Sequence, residues 1–115
     1  MKGGIMYEQG EVVLIPFPYS DLTGAKFRPA LIISNEKINN TKDRICCLIT
    51  SNITKDGLLI SKNDFSLGNL PFKSWVKPHR IFTIDEDIIK KKICKLNKSF
   101  NQLVLDNLHT YLKIE

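Results

Sequence analysis

The chain has 115 residues, 43% of them hydrophobic and 25% charged, the composition of one globular domain with a single modest core; it excludes a disordered chain and a pair of domains. Its formal charge of +5 comes from 17 Lys and Arg against 12 Asp and Glu, which favours an anionic partner without naming one, because net charge speaks to association and not to fold. No apolar run has the length of a membrane span, and the N-terminal MKGGIMYEQGEVV lacks the apolar centre of an export signal, so a cytoplasmic protein without membrane contact is expected.

Three cysteines, Cys46, Cys47 and Cys94, are an odd number with no disulfide or metal-binding spacing. Cys46 and Cys47 are neighbours in a run that reads as strand and should point to opposite faces. They read as small buried residues in a reducing compartment, and neither a metal nor a cofactor is expected.

From Gly10 the chain runs through Val12, Val13, Leu14, Ile15 and Phe17, a strand with apolar residues on both faces, then through the turn-rich PYSDLTG to RPALIIS, a second strand. The connection is longer than most hairpin loops, and long loops of this kind often carry function. The polar NEKINNTKD reads as a connection, RICCLITS as a third strand and LLIS as a short fourth. KSWVKP and HRIFTI are two further β-rich segments divided by Pro78, which marks an edge, a bulge or a bend.

At Thr83 the pattern changes. Thr83 and Glu86 have capping-box spacing, and Ile88, Ile89 and Ile93 follow before a run of lysines, so a short helix is expected over 83–96. Ser99 and Gln102 fit a second capping box, ahead of a stripe made by Phe100, Leu103, Val104, Leu108, Tyr111 and Leu112, which reads as an amphipathic C-terminal helix. Strands first and helices last imply an α+β domain, mainly β, in which the terminal helix covers a strongly bent sheet or small barrel.

Taken together, Gly10-Glu11-Val12-Val13, Arg28-Pro29-Ala30-Leu31, the segment CLITSNI with Thr50, and HRIFTID with Arg80 to Ile84 leading toward a terminal amphipathic helix resemble the PemK/MazF family of toxin–antitoxin ribonucleases. No single motif is specific; the resemblance lies in their order and spacing, over about residues 8–113 of a single 1–115 domain. It implies an SH3-like barrel, a homodimer, and metal-independent, sequence-selective cleavage of single-stranded RNA, including mRNA, that inhibits growth. It also implies a cognate antitoxin protein whose C-terminal segment occupies the RNA groove, and operator DNA bound only by the toxin–antitoxin complex. This sequence departs from the family's better-known members in its loop, Pro16 to Phe27, which lacks an acidic residue just before Arg-Pro and has Lys26 there instead.

The chemistry implied is attack of a 2′-hydroxyl on the neighbouring phosphorus, giving 2′,3′-cyclic phosphate and 5′-hydroxyl ends. Arg28, ending a loop and braced by Pro29, can set a planar charged fork against phosphate oxygens. A guanidinium is a poor base at neutral pH, so charge stabilisation is its expected role. Thr50 is either an ordinary strand residue or a hydroxyl donor to the same oxyanion. His79, beside Arg80, is the best unaided acid–base candidate, against a plain surface histidine at a Pro turn; His109 reads as structural. Arg80 either binds phosphate or pairs with Asp85 or Glu86. Tyr19 and Lys26, in the loop, are placed near RNA. Trp75 and Phe72 either stack on bases or fill a core or dimer contact. Lysines 90 to 92 and 95 solvate a helix face or touch RNA or antitoxin. Two other readings stay open: a catalytically silent SH3-like module that binds nucleic acid or peptide, and a related toxin fold directed at DNA gyrase.

Overall fold

The computed structural model describes residues 6–17 and 26–115. Their elements are β1 (Glu11–Phe17), β2 (Lys26–Ile32), α1 (Glu36–Asn39), β3 (Asp43–Thr50), β4 (Leu58–Leu59), β5 (Phe65–Leu67), β6 (Trp75–Asp85), β7 (Lys91–Leu96) and α2 (Lys98–Leu112), with 3-10 turns at Lys62–Asp64 and Glu86–Ile88. The strands form one curled antiparallel sheet in the order β4-β6-β3-β2-β1-β7-β5. Its two ends are short strands, which limits the exposed edge.

The double-sided hydrophobicity of β1 has a direct structural cause, because both faces of the sheet are covered. Val12, Leu31, Cys47, Ile49, Val76 and Leu96 pack on one face beneath Phe100 and Val104 of α2. Val13, Ile15, Ala30, Ile32 and Cys46 pack on the other with Ile89. There Phe17 meets Phe82 edge-on at 5.2 Å, a favoured arrangement of ring quadrupoles. The mainly-β architecture with a short helix and a C-terminal helix is the one expected, and the helix stripe over 100–112 buries Phe100 and Val104. The helix cap lies two residues before Ser99: Asn97 is the cap, its side chain accepting from Phe100 N at 2.9 Å, while Gln102 donates to Asp106.

Three local expectations are corrected. Residues 83–96 are not a helix but the end of β6, a single 3-10 turn and β7. Asp85, not Thr83, caps the turn by accepting from Asp87 N, and β7 is held between β1 and β5, with Cys94 opposite Val12; two flanking strands outweigh the local helix signal. The connection after Ser34 contains α1, capped by the Asn35 side chain on Lys37 N. The two segments divided at Pro78 are one strand, and the break expected there is a bulge: Leu48 pairs with Lys77 but Cys47 pairs with Ile81, so Pro78, His79 and Arg80 are extra and the missing proline N–H costs no ladder bond.

A buried arginine locks this frame. Arg44 is 1% exposed. It donates through Nε to Tyr7 O, through Nη1 to Thr41 O and Asp43 O, and through Nη2 to Met6 O and Glu86 Oε1, all at 2.7–2.9 Å. The fork thus ties the N-terminal segment, β3 and the turn before β7 together, and the charge survives burial because every N–H has an acceptor.

Candidate active site

Arg28 lies on β2, where it pairs with Ile15 of β1. Between β2 and β3 the ladder runs Ile32–Cys46, Leu31–Cys47 and Ala30–Leu48, and then stops at Pro29, which has no N–H to donate. The same offset carried two residues further sets Arg28 across from Thr50. Side chains alternate along each strand, so Arg28, Ala30 and Ile32 share a face with Thr50, Leu48 and Cys46. The two residues singled out for phosphate chemistry are thus brought to one side of the sheet, at the point where two strands part.

Thr50 ends β3, where its Oγ1 accepts from Asn52 N at 3.1 Å, an interaction that uses a lone pair and not the hydroxyl proton. Its cross-strand partner on β6 is Trp75. Around the free end of β2 runs a groove of about 370 Å³ whose wall includes Lys26, Phe27, Arg28, Ser51 and Phe72. Leu14, Phe27, Pro29, Ile49 and Ser51 on that wall belong to the opposite alternation from Arg28 and Thr50, so the groove lies mainly on the other face of the sheet and meets Lys26 and Arg28 at the strand end, while Thr50 is not on its wall. Lys26 is on its wall as expected, although it stands at the start of β2, paired with Phe17, and not in the loop.

Arg80 lines a second, more apolar depression of about 460 Å³, over Ile15, Leu48 and Phe82, on the Arg28 and Thr50 face. It does not form the suggested pair with the helix entrance: Glu86 binds Arg44 and Asp85 caps the turn. His79, in the β6 bulge, faces elsewhere. Its Nε2 is 3.8 Å from Asp56 Oδ2 and its ring meets Tyr111 of α2 edge-on at 5.9 Å. The Asp56 carboxyl is held below the ordinary range, first by the Thr54 hydroxyl that donates to it and to a smaller extent by Lys77 and His79. Tyr19 lies outside the described residues.

The cysteines take no part. Burial pushes the Cys46 and Cys47 thiols up to about 12 and the Cys94 thiol up to about 11, so they stay protonated and inert at neutral pH. Among the described residues no three His, Cys, Asp or Glu side chains gather as a metal site would require. The lysines expected on a helix face are on or beside β7: Lys92 reaches Glu11 at 3.3 Å, and the Lys90 ammonium sits 5.3 Å from the centroid of Phe27.

Residues 8–112 match the family described as the PemK-like, MazF-like toxin of type II toxin–antitoxin systems. The chain belongs to this family. Solved structures carry the same fold. The toxin is similar to an endoribonuclease in complex with its cognate antitoxin from Mycobacterial species, with a TM-score of 0.75 at 18% identity over 94% of this chain and 98% of that one. It is similar to a MazE–MazF complex from Deinococcus radiodurans, at 0.77 and 18% over 98% and 100%. It is also similar to the Mycobacterium tuberculosis toxin MazF-mt6, at 0.70 and 15% over 91% and 98%. No curated protein sequence matches. No helix among the described residues of the toxin is long and apolar enough to cross a membrane.

One residue that holds the frame behind the site was not legible in the sequence. Arg44 carries no local signal beyond lying in an otherwise apolar strand, and its role depends on carbonyls from Met6 and Tyr7. Phe72, read as either stacking on bases or filling a core or dimer contact, is 73% exposed and fills no core within the protomer.

Proposed function

We propose that this toxin is an endoribonuclease that cleaves single-stranded RNA in the cytoplasm, without a metal ion, at a site built on Arg28 and Thr50. The observation that carries the reading is the offset between β2 and β3, which puts a guanidinium and a hydroxyl on the same side-chain alternation at the strand end, with Arg28 also on the wall of an open groove. The family membership supports the toxin role, and the endoribonucleases of the same fold support the reaction class.

In the reaction the 2′-oxygen forms a bond to phosphorus, the bond from phosphorus to the 5′-oxygen breaks, the 2′-proton leaves to a base and the 5′-oxygen gains a proton. Charge develops on the non-bridging phosphate oxygens. Arg28 answers it with two parallel N–H donors, and the Thr50 hydroxyl adds a third. Both are held by strand backbone, so little reorganisation is needed as the charge forms. The products are a 2′,3′-cyclic phosphate and a 5′-hydroxyl. A homodimer is part of this proposal, as is a cognate antitoxin protein that covers the groove and with which the toxin reaches operator DNA.

The test is incubation of the purified toxin with a long single-stranded RNA in EDTA, with the ends mapped. Discrete cuts carrying those two kinds of end support the reading. Intact RNA with a folded protein contradicts it and leaves a binding module.

A further inference from the structure

The groove at the end of β2 carries two large exposed rings on its wall, Phe72, 73% exposed, and Phe27, 51% exposed. An exposed aromatic singly on a surface needs no explanation, but two on one groove beside a proposed phosphate-binding arginine are a different matter. The backbone that carries Phe72 is held in place. Pro71 precedes it, the Ser74 hydroxyl donates to its carbonyl at 2.7 Å, and Ser74 is itself buried and accepts through its carbonyl from Ile60 N at 2.9 Å.

The charges around the groove select the occupant. Lys26 and Arg28 are on its wall, Lys90 sits over Phe27, and Lys73 follows Phe72 and lies 6.0 Å from the Trp75 centroid. Aromatic faces interleaved with cations fit an unstacked nucleobase flanked by phosphates. We propose that this groove is a base pocket: a nucleotide adjacent to the phosphate at Arg28 and Thr50 turns its base over the end of β2 and stacks on Phe72, with Phe27 and Ser51 completing the wall. This rests on the ribonuclease reading of the same site and makes Phe72 a determinant of which sequences are cut. Phe72 is exposed, so its replacement leaves the core intact.

The experiment compares wild type, Phe72→Ala and Phe72→Trp in three ways: cut-site profiles on a randomised RNA, binding of a fully 2′-O-methylated, uncleavable RNA by anisotropy, and mass by light scattering. Phe72→Ala should weaken binding roughly tenfold, the worth of one stacked base, and flatten the preference at one nucleotide next to the cut. Phe72→Trp should restore both. Equal affinity and an equal profile for wild type and Phe72→Ala would overturn the proposal. So would unaltered affinity with a lowered oligomer mass, which would assign the ring to an interface between copies. If wild type binds RNA through Phe72 but cuts nothing, the base pocket stands and the ribonuclease reading falls.

Discussion

Arg44 Nη2 lies 2.9 Å from Glu86 Oε1, and this contact joins the start of β3 to the turn that launches β7. The rest of the guanidinium is spent on four backbone carbonyls. Removing it strands those acceptors and leaves Glu86 unpaired, so Arg44→Ala should lose about 3–5 kcal/mol of stability. Arg44→Lys should recover little of it, because an ammonium cannot span the same fork of acceptors. Urea unfolding checks both; a loss under about 1 kcal/mol would show an exposed, screened pair instead.

The three buried thiols make a second prediction, about alkali. Burial raises them from 9.0 to about 12 for Cys46 and Cys47 and about 11 for Cys94. The folded chain therefore keeps protons that the unfolded chain releases. The stabilisation is complete below pH 9 and is lost as pH rises toward the folded values, by about 1.4 kcal/mol per pH unit for each thiol. Urea midpoints should fall steadily above pH 9 and fall less steeply for Cys47→Ala than for wild type. A midpoint flat to about pH 10 would contradict the burial of these groups.

His79 gives a third. Its imidazole is turned to Asp56 and Tyr111, away from the open end of β2. His79→Ala should keep RNA cleavage within about tenfold of wild type, below the hundredfold or more expected from loss of a general acid or base. A larger loss, with a titration near neutrality removed from the pH–rate profile, would make His79 part of the chemistry.

These residues also show what a single sequence can reveal. β1, β2, β3 and α2 were legible because each carries its own pattern, alternation or a helical stripe, and Arg28 stood out because an arginine before a strand-opening proline is held in place. Residues 83–96 were misread because Thr83, Glu86 and the isoleucines imitate a capped helix, and only β1 and β5, distant in sequence, decide otherwise. Phe72 was ambiguous for the same reason. Its meaning comes from the groove that Phe27, Arg28 and Ser51 bring to it, and no local pattern records that meeting.

Arg28 carries the account, and the most direct measurement is the single-turnover rate of cleavage of one RNA by wild type, Arg28→Lys and Arg28→Ala in EDTA, with equal urea midpoints verified. A guanidinium that stabilises the phosphorane predicts a loss of about 10²–10³ for Arg28→Ala. Arg28→Lys should fall between, because it keeps the charge and loses the fork. If Arg28→Ala cuts the same RNA at the wild-type rate, the proposed site is wrong.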